Sequence, residues 1–388
     1  MMDFCIIGHP FIEVSGGMAY LKAKITRPDG ESLCFFAVPE EYADILTSEL
    51  ADCFVATALP WCIRNKLSIR SETPVSHFIL YSLKNRLISQ MSQNSLCYHP
   101  IEIEADTSDL VFQGKGYVGT GWSGGADCMY TLMHNLEASE KGYRLTHLLN
   151  INAGVFEEPD IEGKFDTAHK LCKKASAHFG LESLSIDTNI HQLFPALYLS
   201  VCAFRITSAM LALQKGFKAY LFSSTYDLRT FDYVDDNAGF YEYAILSSLS
   251  NQNIHFVDCG CEVTRIEKLR QISDYKPALE MLQVCVKEQD KNCMRCGKCI
   301  RTTAALYALG KLEKFDRVFD VPYFYEHKDE ILGDLLFHKA NIHYGEIISL
   351  MEKKGMEFSP RARQRARILT AADKAAKAHA SELTGDDK

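Results

Sequence analysis

Residues 117–128, with the sequence YVGTGWSGGADC, decide the predicted fold. The run Tyr117–Gly121 is typical of a short β-strand, and it leads through two adjacent glycines into a segment that favours a helix. Adjacent glycines let a ligand come close to the backbone, because no Cβ atom stands in the way. The amide groups at the start of a helix attract an anion. The stretch therefore predicts a strand–loop–helix unit with an anion cradle.

The predicted cradle contains a hydroxyl and a carboxylate beside its glycines. Its candidate ATP-binding residues are Ser123, Gly124, Gly125, Ala126, Asp127 and Cys128. Asp127 would repel a bare phosphate, so its best use is to hold a Mg²⁺ that bridges phosphate oxygens. The stretch is not a Walker loop, which needs Gly-x4-Gly-Lys-Ser/Thr. We expect Ser123 and Asp127 to be the catalytic residues, and a plain glycine turn is the alternative.

Strand-like runs recur after this stretch at intervals typical of strand–helix–strand units. The candidate strands are Tyr117–Gly121, Thr146–Ala153, Leu184–Thr188, Ala219–Ser223 and Ile254–Cys259. Between them, apolar residues such as Phe165, Ala168 and Leu171 recur with helical spacing. Alternating strands and helices predict an α/β fold, with a parallel doubly wound sheet covered on both faces. Ligands of such sheets bind beyond the carboxyl ends of the strands.

The two ends of the chain differ from this central region. Short β-rich runs joined by the turn Pro28-Asp29-Gly30 predict a smaller α+β domain at residues 1–112. The central α/β domain is expected at 113–315 and a helical extension at 316–388. The last 30 or so residues are rich in Ala, Lys and Arg, which is typical of a solvated helix; contact with an anionic partner is the alternative.

Four cysteines near the end of the central region predict a metal site. Cys285, Cys293, Cys296 and Cys299 follow the spacing C-x7-C-x2-C-x2-C. Four thiolates at such spacing can close a tetrahedron around Zn²⁺, and Gly297 permits a tight turn between the last two. An iron–sulfur cluster is the alternative, because four cysteines also suit one. Four ordinary buried cysteines are the third interpretation.

The glycine loop resembles a known family. Ser123 to Asp127 match the Ser-Gly-Gly-x-Asp-Ser loop of the N-type ATP pyrophosphatases, which cleave ATP between the α and β phosphates. This resemblance implies a HUP-like sheet, with ATP and Mg²⁺ as cofactors. Cys128 stands where that family has its last serine, and a thiol is a weaker hydrogen-bond donor than a hydroxyl. One phosphate contact therefore differs in this chain.

The loop and the cysteines together resemble the 7-cyano-7-deazaguanine synthase family, whose zinc site reads C-x-n-C-G-x-C-x2-C with an arginine soon after. Here Arg301 follows Cys299, but the glycine comes after Cys296 instead of after Cys293. The resemblance covers about residues 114–312. We therefore interpret the chain as a divergent relative with an extra N-terminal domain.

This resemblance implies an ATP-dependent ligase or synthase. A carboxylate is activated as an acyl adenylate, PPi leaves, and a nitrogen nucleophile attacks. One alternative is sulfur transfer after adenylation, which needs an exposed thiol of lowered pKa; Cys128, Cys259 or Cys261 would supply it. For Cys259 and Cys261 we favour burial as small apolar side chains. The other alternative is a nucleotide-binding relative without catalysis.

Five further polar residues are candidate substrate-binding groups: Ser224, Asp227, Arg229, Arg265 and Lys268. The first three follow a candidate strand at its carboxyl end, although a solvated loop is the alternative interpretation. The other two open a helix that Thr264 and Glu267 delimit with a capping-box pattern. A cation is not favoured at a helix N-terminus, so a phosphate or carboxylate partner is expected there.

Composition limits the class of protein. The 388 residues carry 42 Lys and Arg against 50 Asp and Glu, a net charge of −8, with 47% hydrophobic residues. These values exclude a collagen, a coiled-coil rod or a largely disordered chain, and they leave no global basic field for nucleic acid. We expect a cytoplasmic protein without a membrane span, because the longest apolar stretch is too short. The expected partners are ATP, a small carboxylate such as a deazapurine, a protein recognised by the N-terminal domain, and a second copy of the chain.

Overall fold

The structure is a computed structural model that describes residues 4–138, 140, 142–155, 163–288 and 291–384. The described chain divides into two compact units. Unit 1 comprises residues 1–122 and 131–263, and unit 2 comprises residues 123–130 and 264–388. Each unit is described by itself below.

All the strands of the described chain lie in unit 1. They are β1 (Phe4–Ile7), β2 (Phe11–Ser15), β3 (Met18–Arg27), β4 (Gly30–Pro39), β5 (Ser68–Ser71), β6 (Val75–Ser76), β7 (Ile103–Glu104), β8 (Thr107–Ser108), β9 (Tyr117–Gly121), β10 (His147–Ile151), β11 (Glu182–Thr188), β12 (Phe217–Ser223) and β13 (His255–Cys259). Eleven form one sheet in the order β13-β12-β9-β10-β11-β4-β3-β1-β5-β7, with β2 paired to β3. The other two, β6 and β8, pair with each other.

Five neighbouring strands form the parallel part of the sheet, and each corresponds to a strand predicted from the sequence. The pairs β9–β10, β10–β11, β9–β12 and β12–β13 are all parallel. In chain order the arrangement is 3-2-1-4-5, so the order reverses at β9. Ligands of α/β sheets bind at such reversal points, beyond the carboxyl ends of the strands. The predicted α/β class with a mostly parallel sheet is confirmed, and the glycine loop directly follows the strand at the reversal.

The N-terminal strands extend this same sheet. β4 pairs antiparallel with β11, with Ala37 opposite Asp187 and Phe36 opposite Thr188. The side chain of Asn189 strengthens the junction, because it accepts from the amide of Phe35 and donates to the carbonyl of Leu33. The contact pattern therefore divides the chain differently from the three predicted segments, since strand pairing joins the N-terminal region to the parallel strands.

In the described residues, eight α-helices accompany the strands: α1 (Asp52–Asn65), α2 (His77–Ser82), α3 (Ile88–Gln93), α4 (Ala126–Asn135), α5 (Lys164–Phe179), α6 (Ile190–Leu193), α7 (Tyr198–Leu211) and α8 (Glu242–Leu249). Within unit 1, α1 packs against α7, and α5 packs against β10 and β11. The apolar core of this unit includes Phe36, Phe54, Phe204 and Phe217, all fully buried. The first turn of α4 belongs to unit 2 and its remainder to unit 1.

Unit 2 is helical in its described residues. After the glycine loop and the start of α4 it contains α9 (Arg265–Ile272), α10 (Lys276–Met281), α11 (Gly297–Leu309), α12 (Val321–Glu326), α13 (Lys328–Phe337), α14 (Ile342–Lys353) and α15 (Pro360–Thr384). Helix α11 packs against α9, α13 and α14, and Leu306, Phe315 and Phe324 are buried in this unit. Among the residues that the structure describes, no helix is long and apolar enough to cross a membrane.

Candidate functional site

The glycine loop is fixed by its own hydrogen bonds. The hydroxyl of Ser123 accepts from the amide of Gly125 at 3.3 Å, and the carbonyl of Gly124 accepts from the amide of Gln283 at 2.8 Å. Gly124 has φ +66°, a left-handed conformation that favours glycine. Ser123 is exposed. The loop therefore keeps a defined backbone while its serine stays accessible to a ligand.

Asp127 lies in the first turn of α4 and is ion-paired with two cations from α9. Its Oδ2 accepts from Nη1 of Arg265 at 2.5 Å, and its Oδ1 lies 3.4 Å from Nζ of Lys268. The side chain of Lys268 is 1% exposed and that of Arg265 is 9% exposed. Burial raises the pKa of Asp127, but Arg265 and Lys268 outweigh burial and hold that pKa well below its usual range. The carboxylate is therefore ionised and already engaged by cations.

Helix α9 presents these two cations because its start is capped as the sequence predicts. The hydroxyl of Thr264 accepts from the amide of Glu267, and the helix begins at Arg265. Residues 265 and 268 are three apart, so their side chains lie on the same face of the helix. The sequence interpretation that Arg265 and Lys268 need an anionic partner agrees with this geometry, in which the partner is Asp127.

Further charged and polar groups act electrostatically on the same place. Burial lowers the pKa of His343 to about 3, and the nearby Arg265 and Arg301 lower it further. Partial desolvation lowers the pKa of Lys298, again with contributions from Arg265 and Arg301. Lys298 itself is exposed, and Arg301 is partly buried. Together with Arg265 they make this region positively charged, which favours an anionic ligand.

The four predicted cysteines come together in unit 2. Their sulfur atoms all lie within 4.8 Å of one another, with Cys293 to Cys299 at 4.0 Å and Cys296 to Cys285 at 3.9 Å. Metal–sulfur bonds of about 2.3 Å in a tetrahedron place the sulfurs about 3.8 Å apart. Backbone amides also donate to these sulfurs, as the amide of Cys296 does to Cys293. The group could therefore hold a metal ion.

Asn292 organises the cysteine group, and sequence reasoning missed it. Its side-chain oxygen accepts from the amides of Val284 and Cys285 at 2.9 and 3.2 Å. Its amide nitrogen donates to the carbonyls of Leu282 and Val318 at 2.8 and 2.9 Å. The only local signal was a polar residue directly before Cys293. These four bonds hold both cysteine-bearing segments in register.

Gln283 links the glycine loop to the cysteine segment. Its backbone amide donates to the carbonyl of Gly124. Its side-chain amide donates to the carbonyls of Glu288 and Lys291 at 2.9 and 2.8 Å. The glycine loop and the cysteine group are therefore connected through one residue. No family model, curated protein or solved structure matches this chain.

Two details of the cysteine group differ from the sequence interpretation. Gly297 does not make the tight turn: it begins α11, and a Cβ there would lie 3.0 Å from the hydroxyl of Tyr344. The left-handed residue is Met294, with φ +62°. It occupies the position directly after Cys293, where the resembling family has its glycine.

The other three candidate substrate residues bond within their own loop in unit 1. Ser224 is buried, and its hydroxyl donates to the carbonyl of Tyr226 and to Glu242. Asp227 accepts from Nε of Arg229 at 2.6 Å. Glu242, which sequence reasoning missed, is 2% exposed and also accepts from the amide of Thr225. These contacts fix the loop after β12.

The candidate reactive thiols differ in exposure. Cys128 is buried, and burial raises its pKa to about 11, so it is a neutral thiol near pH 7. Cys259 and Cys261 are only partly buried, contrary to the burial that we expected. They flank Gly260 at the end of β13, where φ of the glycine is +88°. The tight turn keeps both thiols near the surface of unit 1.

Proposed function

We propose that this protein is an ATP-dependent enzyme that adenylates a carboxylate, releases PPi and passes the acyl group to a nitrogen nucleophile. The observation that carries the proposal is the buried pairing of Asp127 with Arg265 and Lys268 at the start of α4, directly after the glycine loop. A glycine loop with an exposed serine, followed by a helix N-terminus and buried cations, suits a polyphosphate. The glycine loop also directly follows β9, the strand at which the order of the parallel strands reverses. Ligands bind at such reversals in α/β folds, which supports a HUP-like fold in this proposal.

The two cations paired with Asp127 suit a ligand with more than one negative charge. Arg265 and Lys268 carry two positive charges against the one negative charge of Asp127, and a polyphosphate suits such a pair of cations. Among the described residues, the buried Nε–H of Arg265 has no hydrogen-bond partner, which leaves a donor for a phosphate oxygen. Asp127 would hold the Mg²⁺, which would bridge phosphate oxygens. Arg265 and Lys268 would neutralise charge on the leaving pyrophosphate.

The cysteine group has a structural role in this proposal. Its sulfur–sulfur distances fit tetrahedral Zn²⁺ bound by Cys285, Cys293, Cys296 and Cys299. Four protein ligands leave no open position for substrate, so the zinc would stabilise unit 2 and not take part in the reaction. The proposal also places the enzyme in the cytoplasm, where thiols stay reduced.

The proposed substrate is a small carboxylate, with a deazapurine as the first candidate, and the nucleophile is ammonia or an amine. The experiment incubates the full-length protein with ATP, Mg²⁺ and candidate carboxylates, and identifies the nucleotide product by mass spectrometry. AMP and PPi are the expected products. Formation of ADP and phosphate would overturn the proposal. ATP binding without turnover across the carboxylates would favour the non-catalytic alternative.

A pair of aspartate variants shows whether the turnover comes from this site. Asp127→Asn should abolish PPi release, because an amide neither pairs with the cations nor holds Mg²⁺. Asp274→Asn is the matched control, since Asp274 also pairs with two lysines, Lys314 at 2.5 Å and Lys311 at 3.7 Å. That pair is solvent-exposed, so its loss should leave PPi release unchanged. Full PPi release by Asp127→Asn would show that the reaction does not depend on this site.

Sulfur transfer is the second candidate, and the partial exposure of Cys259 and Cys261 is the observation that favours it. Cys128 is a poor carrier, because its raised pKa leaves it protonated. Cys128→Ser should therefore keep PPi release under either chemistry. Replacing Cys259 and Cys261 by serine should leave product formation intact if the nucleophile is nitrogen. Loss of product with continued AMP release would instead favour sulfur transfer.

A further inference from the structure

We infer that His343, in the C-terminal extension, is a positioning residue of the anion site formed by Asp127, Arg265 and Lys268. This inference deepens the proposed function and rests on it. The resemblance to 7-cyano-7-deazaguanine synthases ends near residue 312, so nothing in it assigns a role to α14. The extension would then be part of the ATP-binding machinery and not an appendage.

His343 lies at the start of a helix that packs against the helix of the cations. Helix α14 packs against α9, which carries Arg265 and Lys268, and against α11, which begins two residues before Cys299. The side chain of Asn341 caps α14 by accepting from the amide of His343 at 3.1 Å. The neighbouring Tyr344 donates its hydroxyl to the carbonyl of Gly297 at 3.1 Å. These two bonds fix both the start of α14 and its position on α11.

The chemistry of the imidazole suits a positioning role. His343 is 5% exposed, and the groups that act on it are Arg265, Arg301, Asp127 and Lys268. Its ring is neutral near pH 7, so it offers one donor and one acceptor without adding a fifth positive charge. A carboxylate there would compete with the ligand for the cations. A neutral polar ring can instead hold the buried charged side chains in one arrangement.

The competing interpretation is that His343 only fills space between three helices. Two substitutions separate these roles. His343→Phe keeps an aromatic ring of similar size and removes both hydrogen-bonding nitrogens, whereas His343→Gln keeps a donor and an acceptor with less volume. A space-filling residue is replaced better by phenylalanine. A positioning residue is replaced better by glutamine.

The experiment titrates inorganic pyrophosphate into the full-length protein and its variants by calorimetry, which needs no turnover. We expect His343→Phe to weaken binding about tenfold or more and His343→Gln to stay within about threefold of wild type. His178→Gln is the control, because His178 is exposed and lies in unit 1, outside the unit that carries His343. It should bind like wild type. Thermal unfolding of each variant shows whether it is folded.

Tyr344→Phe provides a second route if His343→Phe does not fold. This variant removes only the hydrogen bond from Tyr344 to Gly297, so α14 should stay packed. Because that bond helps to fix the start of α14, where His343 lies, pyrophosphate should bind about threefold more weakly. Wild-type affinity of His343→Phe would overturn the inference, as would tighter binding by His343→Phe than by His343→Gln. If His343→Phe does not fold, wild-type affinity of Tyr344→Phe would overturn it. If wild type itself binds neither pyrophosphate nor ATP, the proposed function fails, and the inference fails with it.

Discussion

Single backbone positions decide whether the glycine loop keeps its shape. Gly124 has φ +66°, and its carbonyl is held by Gln283. An alanine at that φ costs about 1–2 kcal/mol, so the loop of Gly124→Ala should relax and move its amides. Because about 1.4 kcal/mol corresponds to a tenfold change in affinity, we expect pyrophosphate to bind about tenfold more weakly. Calorimetric titration measures this.

Gly310→Ala is the matched control for this substitution. Gly310 ends α11 with φ +72°, and a Cβ there would meet nothing within 4 Å. The same backbone strain therefore arises in the same unit but outside the glycine loop. Gly310→Ala should lower the melting temperature and leave pyrophosphate affinity unchanged. Equal affinities of the two variants would show that the conformation of Gly124 does not matter for binding.

Met294 offers a second test at the residue scale, because two effects oppose each other there. Its left-handed conformation costs about 1–2 kcal/mol, while burial of its side chain contributes about 1.5–3 kcal/mol. Met294→Gly removes both and should change the free energy of unfolding by only about 1 kcal/mol. Met294→Val adds a β-branched side chain, which tolerates positive φ worst. In urea unfolding, Met294→Val should therefore have a lower free energy of unfolding than Met294→Gly. The reverse order would show that the left-handed conformation does not strain residue 294.

At the scale of elements, the cysteine segment and the glycine loop are coupled through Gln283. We expect about one zinc per chain by elemental analysis, and loss of that zinc in Cys296→Ser. Because structural zinc contributes to folding, this variant should unfold at a lower temperature, and pyrophosphate should bind more weakly as Gln283 loses its support. Cys172→Ser is the control, since Cys172 is buried in unit 1. Iron with a visible absorption band would instead indicate an iron–sulfur cluster.

The sequence predicts those elements whose signal is local. The five parallel strands are short apolar runs, α9 has its capping box, and the glycine loop and the cysteines have fixed spacings. Helix α1 gave no such signal, because nearly all of its residues are buried and no polar face marks a period. The pairing of β4 with β11 was equally hidden, since it joins residues about 150 positions apart.

The residues of the candidate site also divide into those with a local sequence signal and those without one. Asp127 and the four cysteines follow from local motifs, and the helix-dipole argument singled out Arg265 and Lys268. Asn292, Gln283 and His343 were missed, because their roles come from tertiary contacts and not from spacing. Ser224 carried a local signal, its place at a strand end, but the structure shows its hydroxyl bonded to Glu242 and Tyr226. A strand end identifies a ligand-facing edge but not which side chains are committed to their own loop.

At the scale of the whole molecule, buried neutral histidines predict how stability depends on pH. Burial lowers the pKa of His147 in unit 1 to about 4 and that of His343 in unit 2 to about 3. Their unfolded pKa is about 6.5, so below pH 6.5 the unfolded chain binds more protons than the folded one. Stability therefore falls as pH falls from 6.5 towards the folded pKa of each residue. Each contributes about 1.4 kcal/mol per pH unit.

The histidine effect is separable from that of Asp127. The pKa of Asp127 is held below its usual range, so the stability that Asp127 contributes is lost only below about pH 4. Between pH 6.5 and pH 5 each of the two histidines should lower the free energy of unfolding by about 2 kcal/mol. Both tryptophans, Trp61 and Trp122, lie in unit 1, so their fluorescence reports unfolding of that unit. Hydrogen exchange of α14 reports unit 2.

Two variants show which histidine causes the change in the free energy of unfolding with pH. His147 packs against the rings of Tyr117 and Phe217, and His147→Gln removes its titration whatever the change in absolute stability. Urea unfolding followed by fluorescence at pH 6.5 and pH 5 should lose about 1.4 kcal/mol per pH unit of its slope in this variant. His343→Gln should instead weaken the pH dependence of hydrogen exchange in α14. It should leave the pH dependence measured by fluorescence as in wild type. Unchanged slopes in both variants would mean that the two rings are protonated in the folded protein, and that their burial does not keep them neutral.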